Sequence, residues 1–373
     1  MRIGYDAKRA FYNNSGLGNY SRNLLKALTE NFGQNKYVLY TSGIGRHLFD
    51  LSHPAYETRF PKTAFQKLFP AWWRTFSIPK QLIADQVDIY HGLSHELPVG
   101  IDHVPVKTVV TMHDLIFLRY PGLYKPMDRF IYRKKFSYAC RKADSVVAVS
   151  KQTADDLITF LKVNPKKISL IHQGCNPIFF NEAQDTLKFE IKEKFNLPDS
   201  YILYVGTIEP RKNLLTLIKA IHKGSIRIPL VAIGRKTSYF SEIKNYIDFH
   251  SLKDIHFIDT VRNGELPAIY QMAKLFVYPS VFEGFGIPVL EALASKIPVI
   301  TSKGGCFPEA GGPASCYINP KNTDELADAI KNILNDDHLI SKMKSEGYNH
   351  ALQFSPEQVA KNIMDLYKKL LNE

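Results

Sequence analysis

The sequence has few cysteines and no long apolar run. Its four cysteines, in 373 residues, show no C-x-x-C spacing, which argues against a zinc site and against a secreted disulfide framework. No stretch approaches the roughly 20 consecutive apolar residues that a membrane-spanning helix needs. The first residues already read as a strand and lack the pattern of a targeting peptide. We therefore expect a cytoplasmic protein, with peripheral binding at the inner membrane face left open.

Acidic residues are scarce in the first half of the chain. Residues 1–180 hold 25 Lys and Arg against 13 Asp and Glu, whereas residues 181–373 hold 23 of each kind. The net charge of +12 therefore comes entirely from the first half. Such an asymmetry favours an anionic partner, and nucleic acid, an anionic lipid surface and phosphorylated substrates all stay open on this ground.

Short apolar runs alternate with longer amphipathic stretches, a pattern typical of βα units in parallel sheets. Because the chain is longer than one core usually serves, we expect two doubly wound α/β domains, at residues 1–178 and 179–355. An amphipathic helix over 356–373 could pack back on the first. The predicted strands are Arg2–Tyr5, Tyr37–Tyr40, Ile89–His91, Thr108–Met112, Ser145–Val149, Ile168–Ile171, Tyr201–Val205, Leu230–Ile233, Ile255–Phe257, Leu275–Tyr278 and Pro298–Thr301.

A glycine-containing loop between a predicted strand and a predicted helix is the most informative segment. Glu283 precedes the helix, which we expect to begin near Ile287, and Glu291 lies about one turn inside it. Free backbone N–H groups and the helix dipole at such a start favour a diphosphate, while carboxylates accept hydrogen bonds from sugar hydroxyls. From spacing alone, the loop could equally be a simple turn with both glutamates solvated.

The stretch from Glu283 to Glu291, with Gly-Phe-Gly-Ile-Pro-Val-Leu between them, resembles the E-x7-E signature of the family 4 glycosyltransferases. Residues 204–213, 232–234, 298–302 and 308–311 agree with the family in the same order. The resemblance implies the GT-B fold, with two facing Rossmann-like doubly wound domains and a cleft between them. It also implies a retaining hexosyltransferase that uses a nucleoside-diphosphate sugar, without a metal or other cofactor. No D-x-D dyad, the usual mark of a metal-bridged donor site, is present.

The resemblance also assigns roles to the charged residues. Glu283 would contact hydroxyls of the donor sugar, and Glu291 would hold the ribose of the nucleotide. Arg211 and Lys212 would neutralise the leaving diphosphate, although a solvated pair is the commoner interpretation of adjacent Arg and Lys. Many relatives have Gly-Arg where this chain has Gly206-Thr207, so a phosphate-binding arginine is missing there.

Other site residues follow from the same resemblance. Gly16 and Gly18 lie in a glycine-rich loop that would approach the donor phosphates and the acceptor. This loop lacks the G-x-G-x-x-G fingerprint, which argues against NAD or FAD. His113 follows a predicted strand and would donate to a sugar hydroxyl, although a lone histidine is more often structural. The remaining predicted donor-binding residues are Gly206, Thr207, Gly234, Thr260, Val261, Phe285, Gly286, Ile287, Pro288 and Leu290.

Two basic stretches rich in aromatic residues, Pro61–Lys80 and Arg119–Lys142, are typical of a membrane interface. An equal alternative is that their aromatic residues face the core. The predicted partners are a nucleotide sugar, a glycan or lipid-linked acceptor and an anionic membrane surface, with no nucleic acid.

Residues 111–117 are most similar to those of mannosyl-transferring members, so GDP-mannose is the leading donor. UDP-glucose, UDP-N-acetylglucosamine and other sugar nucleotides stay open. Two alternative functions remain: a sugar-nucleotide 2-epimerase of GT-B shape and a basic nucleic-acid-binding protein. For the epimerase, conversion of UDP-N-acetylglucosamine without an acceptor is the discriminating observation. For the nucleic-acid-binding protein, it is salt-dependent retention on DNA.

Overall fold

The chain forms two units, each built around its own parallel sheet, in a computed structural model that describes residues 1–45 and 48–372. Unit 1 comprises Met1–Gly174 and the C-terminal segment from Pro356 onward, and unit 2 comprises Cys175–Ser355. The division expected at residue 178 thus lies slightly beyond the observed one. The α/β class with two Rossmann-like sheets is confirmed.

Unit 1 contains a seven-stranded sheet. Its strands are β1 (Arg2–Asp6), β2 (Lys36–Tyr40), β3 (Tyr56–Arg59), β4 (Ile89–Gly92), β5 (Lys107–Met112), β6 (Ser145–Ala148) and β7 (Ile168–Leu170). Their order is β3-β2-β1-β4-β5-β6-β7, and every described pairing is parallel. The chain builds outward from β1 on one side and from β4 on the other. The switch point, where ligands of open α/β sheets bind, therefore lies between β1 and β4.

Unit 2 contains a six-stranded sheet. Its strands are β8 (Ile202–Val205), β9 (Leu230–Ile233), β10 (Ile255–Ile258), β11 (Leu275–Tyr278), β12 (Val299–Ser302) and β13 (Cys316–Ile318). The order is β10-β9-β8-β11-β12-β13, again with parallel pairings. The switch point of this sheet lies between β8 and β11, two strands that are distant in sequence and adjacent in space.

Helices connect the strands. The α-helices are α1 (Lys8–Tyr12), α2 (Gly16–Asn31), α3 (Ala64–Leu68), α4 (Pro70–Trp72), α5 (Ile78–Ala84), α6 (Ile116–Arg119), α7 (Pro126–Lys142), α8 (Lys151–Leu161), α9 (Asp185–Phe195), α10 (Leu214–Lys223), α11 (Phe240–Phe249), α12 (Leu266–Met272), α13 (Ile287–Ala294), α14 (Phe307–Gly311), α15 (Thr323–Leu334), α16 (Asp337–Leu352) and α17 (Pro356–Asn372). A π-helical turn covers Trp73–Ser77. Across the described ranges, none of the helices is both long and apolar enough to cross a bilayer.

Burial explains why the central strands were predicted and two edge strands were missed. All residues of β9 and β11 are buried, because helices cover both faces of a parallel sheet, and both strands read as continuous apolar runs. Strand β3 is half-buried throughout and contains Glu57 and Arg59. Strand β13 is only three residues long. Neither edge strand carries a pattern that a strand prediction could use.

Helix α17 belongs to unit 1 although it follows unit 2 in sequence. Its buried side chains recur at helical spacing, as in Val359, Ile363 and Leu370, and they share a core cluster with Leu24 and Leu28 of α2. The helix therefore closes the apolar face of unit 1.

Candidate functional site

Two loops leave the unit-2 sheet side by side at its switch point. Residues 206–213 follow β8, and residues 279–286 follow the neighbouring strand β11. The amide of Val281 donates to the carbonyl of Arg211 at 2.8 Å, and the side-chain amide of Asn213 donates to a carbonyl of the second loop at 3.1 Å. These bonds join the two loops into one rim at the carboxyl edge of the sheet.

Glu283 lies at the centre of this rim, and its carboxylate is held by one oxygen. Oε1 accepts hydrogen bonds from the hydroxyls of Tyr278 at 2.8 Å and Ser280 at 2.9 Å. It also pairs with Arg211 Nη1 at 2.8 Å and Lys212 Nζ at 3.2 Å. No hydrogen bond in the described part of the chain reaches Oε2, and the side chain is 13% exposed. One oxygen is thus fixed by the protein, and the other is left to accept from a ligand.

The charge state of Glu283 is set by its cationic neighbours. Burial alone would raise the pKa of this carboxyl, but Lys212 and Arg211 outweigh it and lower the pKa to about 2. Burial acts against the charge of Arg211 as well, yet Glu283 and Glu209 raise the pKa of its guanidinium above the ordinary value. Glu283 and Arg211 therefore stay ionised across physiological pH.

Arg211 and Lys212 are engaged to different degrees. Arg211 donates to the carbonyl of Phe282 and to Glu209 Oε1, the latter at 2.7 Å, in addition to its pair with Glu283. Lys212 Nζ donates to the Tyr278 hydroxyl at 2.6 Å and to Glu283, so its third N–H has no partner among the described residues. Arg211 therefore fixes the rim, while Lys212 keeps a donor for an anion.

Two predicted glycines leave room for the side chain of Lys212 and for the turn that follows β8. A Cβ at Gly206 would lie 3.1 Å from Cδ of Lys212, whose side chain passes over the strand end. Gly234, which follows β9, has φ +153°, and a Cβ there would lie 1.9 Å from the Gly206 carbonyl oxygen. Only glycine fits at position 234, because a Cβ there would collide with backbone atoms. At position 206 the nearest atom belongs to the flexible side chain of Lys212, which can move. Thr207 is half-buried in the same turn.

Glu291 lies inside α13, which starts after Gly286 in the left-handed region at φ +106°. Its Oε2 accepts from the hydroxyl of Tyr270 at 3.1 Å. Burial raises the pKa of Glu291 to about 7, although the Tyr270 hydrogen bond and the charge of Lys212 act in the opposite direction. Lys212 therefore acts on both glutamates, and the structure brings these three predicted residues together.

The other predicted residues of unit 2 lie along the same edge. Thr260 is exposed and Val261 half-buried in the loop after β10, the strand beyond β9. Ile287 and Pro288 are half-buried at the start of α13. The side chains of Phe285 and Leu290 are buried in the core, so only their backbone groups can meet a ligand. A groove of about 830 Å³ bordered by β13, α15 and α16 contains none of these residues.

Three residues of the site were missed by sequence reasoning. Tyr278 and Ser280 flank Pro279 at the end of β11, and both hydroxyls hold Glu283. Tyr270, from α12, holds Glu291. Tyr278 offered a signal, because it ends a predicted strand immediately before the motif. The contact of Tyr270 depends on helix packing, which the sequence pattern does not specify.

In unit 1, His113 follows β5 with both ring nitrogens engaged. Nε2 donates to the Leu93 carbonyl at 2.9 Å, and Nδ1 accepts from the Gln173 amide at 2.6 Å. Burial lowers the pKa of His113 to about 4, so the ring is neutral. To donate to a sugar hydroxyl, it would have to release Leu93, and the predicted role of His113 stays a prediction.

The glycine-rich loop of unit 1 is separated from β1 by the short helix α1 and leads into α2. Gly16 opens α2 and has free space around its Cα. A Cβ at Gly18 would lie 1.8 Å from the Asn13 carbonyl oxygen, so the loop closes only with glycine there. Among the residues described in both units, no group of three or more His, Cys, Asp or Glu side chains is placed to hold a metal ion.

Two family models match nearly the whole chain. The model described as Glycosyltransferase Family 4 covers residues 14–178, and the model described as Glycosyl transferases group 1 covers residues 185–350. The chain belongs to the family 4 glycosyltransferases. The family predicted from the E-x7-E motif is thereby confirmed, and the protein is an enzyme, a glycosyltransferase.

Curated relatives of this glycosyltransferase include bacterial mannosyltransferases. It is 29% identical to O-antigen chain mannosyltransferase B of Escherichia coli, over 76% of this chain and 74% of the relative. It is 32% identical to the O-antigen chain mannosyltransferase RfbU of Salmonella typhimurium, over 60% of each chain. The serotype-specific mannosyltransferase WbdA of Escherichia coli is 28% identical over 75% of this chain, which spans only 36% of that longer protein.

Solved structures share the fold of this glycosyltransferase. A glycosyltransferase from Rickettsia africae superimposes with a TM-score of 0.76 at 18% identity, covering 100% of this chain and 99% of that one. HepE from Anabaena, in complex with UDP and glucose, gives a TM-score of 0.77 at 16% identity, covering 99% and 100%. At these identities the likeness establishes the GT-B class of α/β fold.

Proposed function

We propose that this glycosyltransferase moves a hexose, with mannose favoured, from a nucleoside-diphosphate sugar to a glycan or lipid-linked acceptor, with retention at the anomeric carbon. The observation that supports this most is the carboxylate of Glu283, held through Oε1 beside Lys212 and with Oε2 left to a ligand. Mannose is favoured because curated relatives are named as O-antigen mannosyltransferases. HepE, in contrast, was solved in complex with UDP, so the nucleobase needs its own test.

In this proposal the rim of unit 2 binds the donor. Glu283 Oε2 accepts from hydroxyls of the sugar, and the third N–H of Lys212 binds the diphosphate. The backbone amides at the start of α13 add donors and the positive end of the helix dipole. Glu291 accepts from the ribose hydroxyls. Arg211, through its contacts with Phe282 and Glu283, keeps the carboxylate in place.

The proposed chemistry is a front-face displacement. The acceptor hydroxyl approaches the anomeric carbon from the side of the departing diphosphate. The bond from the anomeric carbon to the β-phosphate oxygen breaks, the bond to the acceptor oxygen forms, and the acceptor proton passes to the β-phosphate. Lys212 is placed to stabilise the negative charge that grows on the diphosphate. The step needs no separate base and no metal, and we expect excess EDTA to leave the rate unchanged.

A donor panel tests this function. We would incubate the enzyme with GDP-mannose, UDP-glucose or UDP-N-acetylglucosamine and mannose-containing acceptors, and read the product anomer by NMR. The expected product is the axial, α-configured mannoside from GDP-α-mannose. An inverted anomer contradicts the retaining course. Conversion of UDP-N-acetylglucosamine without acceptor supports the epimerase, and salt-dependent DNA retention without transfer supports the nucleic-acid-binding protein.

We also propose that unit 1 meets an anionic membrane, where a lipid-linked acceptor would be found. In the segment 64–77, which forms α3, α4 and the following π-helical turn, the exposed apolar side chains are Phe65, Leu68, Phe69, Trp72 and Phe76. On α7, Met127, Phe130 and Ile131 are exposed beside the basic side chains of Arg133 and Lys134. Exposed apolar and cationic side chains on the same helices are what an interfacial site requires.

Liposome flotation tests the membrane proposal. Leu68 is 73% exposed in unit 1, and Phe249 is 83% exposed in unit 2. We expect Leu68→Asp to reduce flotation with anionic vesicles, because it puts a negative charge into the apolar contact. Phe249→Asp is the matched control and should float like the wild type. Two results contradict the proposal: equal binding of the wild type to neutral and anionic vesicles, or an equal loss of flotation in Leu68→Asp and Phe249→Asp.

A further inference from the structure

The loop after β4, residues 93–97, lies at the switch point of unit 1 and is rigidly held. A Cβ at Gly92 would lie 2.1 Å from the Glu96 carbonyl oxygen, so the chain turns back tightly on the strand end. The amide of His95 donates to the Thr111 carbonyl at 2.9 Å. Glu96 is paired with Arg74 and, at 2.9 Å, with Lys135. The position of His95 is thus fixed by contacts on both sides.

His95 adopts a backbone conformation that few residues tolerate. Its φ is +65°, in the left-handed region, where residues other than glycine are uncommon. The imidazole is stacked on Phe136, with ring centroids 4.5 Å apart and an interplanar angle of 14°. Such strain persists where the surroundings impose it, and it concentrates at functional sites.

The hydrogen bonds of His95 determine its tautomer. Its Nε2 accepts from the backbone amide of His113 at 3.0 Å, so this nitrogen carries no proton. Burial is the largest cause that lowers the pKa of His95 well below 6.5; the proximity of His113 and the charge of Arg9 act in the same direction, and the ring is neutral. A neutral imidazole has one proton, which must therefore be on Nδ1.

That proton has no acceptor among the residues that the structure describes. No hydrogen bond to Nδ1 of His95 occurs in residues 1–45 and 48–372. In the same ranges, the side-chain nitrogens and oxygens that have neither a hydrogen-bond partner nor contact with solvent are Gln81 Nε2 and Ser295 Oγ. Nδ1 of His95 has no partner and is not one of these atoms, so it is in contact with solvent. The residue as a whole is only 9% exposed. His113, by contrast, uses both of its ring nitrogens within the protein.

We propose that His95 is the histidine of unit 1 that binds the acceptor, donating from Nδ1–H to a hydroxyl oxygen of the acceptor sugar. This inference rests on the proposed function. It assigns His95 to the acceptor because the groups suited to the nucleoside diphosphate, namely Lys212, Glu291 and the start of α13, all belong to unit 2. A preorganised neutral donor matches a neutral sugar hydroxyl.

Two substitutions separate the binding role of His95 from its structural role. In His95→Gln, the amide oxygen can take the place of Nε2 and accept from His113, but no donor replaces Nδ1–H. In His95→Asn, the amide nitrogen lies near the former Nδ1 and can donate, and asparagine tolerates a positive φ better than glutamine. A purely structural histidine would be rescued by glutamine, whereas a donor to the acceptor would be rescued by asparagine.

The test uses GDP-mannose as donor and octyl α-D-mannoside as the acceptor probe, with GDP binding measured by calorimetry. We expect His95→Gln to raise the KM for the acceptor about fivefold to tenfold, the worth of one neutral hydrogen bond. GDP affinity should stay unchanged, and His95→Asn should remain within about twofold of the wild type for the same reason.

Three results would overturn the assignment: a wild-type acceptor KM in His95→Gln, rescue by glutamine rather than asparagine, or a loss of GDP affinity. Thermal unfolding of both variants identifies a fold defect, and a variant that unfolds early yet keeps its acceptor KM also counts against the proposal. A wild-type enzyme that transfers no sugar from any sugar nucleotide refutes the proposed function itself. This outcome differs from the results that would refute only the role of His95.

Discussion

Glu291 should make donor binding depend on pH near neutrality. Burial raises its pKa from the ordinary 4.5 to about 7. In the proposed complex, Glu291 accepts hydrogen bonds from ribose hydroxyls, which the ionised carboxylate does better than the protonated group. With a pKa of about 7, roughly a tenth of the carboxyl is ionised at pH 6 and roughly nine tenths at pH 8. The affinity for the donor should therefore rise about tenfold between pH 6 and pH 8.

Calorimetric titration with GDP-mannose measures this effect. The two phosphates of a sugar nucleotide are both esterified and do not titrate in this range, so the slope reports the protein. Glu291→Gln is neutral at every pH and should bind with weak, flat affinity. A wild-type affinity that is flat from pH 6 to pH 8, or an equal slope in the glutamine variant, would refute the reasoning.

The same pKa shift has an opposite effect on stability. The unfolded carboxyl loses its proton near pH 4.5, whereas the folded one keeps it to about pH 7, so the folded state binds the proton more tightly. This contribution to the free energy of unfolding is complete below pH 4.5 and is lost as the pH rises through 7. Glu291→Gln should consequently be more stable than the wild type at pH 8, as measured by urea unfolding.

Other predictions concern the glycines and the C-terminal helix. Gly206→Ala should lower kcat/KM while changing the free energy of unfolding by less than about 1 kcal/mol, because it displaces only the flexible side chain of Lys212. Gly234→Ala should cost at least about 3 kcal/mol in urea unfolding, since its Cβ would meet backbone; equal stability of the two variants contradicts this. Tyr367→Phe leaves the buried His91 Nδ1 without its 2.6 Å partner and should cost about 1–3 kcal/mol; wild-type stability would show that the hydrogen bond contributes nothing net.

The sequence predicted the sheet centres well because their strands are buried on both faces. Strands β9 and β11 were predicted with their observed bounds, and α13 begins where its proline indicated. The edge strand β3 escaped because it is only half-buried throughout and its sequence, Tyr-Glu-Thr-Arg, contains no apolar run. The apolar run of a strand was therefore the signal that located it, and β3 has none.

The site was predicted in part, for a related reason. Glu283 and Glu291 belong to one local motif, so their spacing on a loop and a helix could be read directly. Lys212 meets Glu283 only because β8 and β11 are neighbours in the sheet. The contact of the Tyr270 hydroxyl and the tautomer of His95 depend on tertiary contacts that composition does not encode, whereas Tyr278 lies only five residues before Glu283.

The affinity of a nucleoside diphosphate for Lys212→Met tests the central claim most directly. The nucleotide should be the one that the wild-type enzyme binds most tightly in the donor panel. Lys219→Met, on α10 with its ammonium over the ring of Tyr246, is the matched control. We expect at least about tenfold weaker binding in Lys212→Met, the worth of one charge-assisted hydrogen bond, and unchanged binding in the control. Wild-type affinity in Lys212→Met would contradict a diphosphate site at the rim of unit 2.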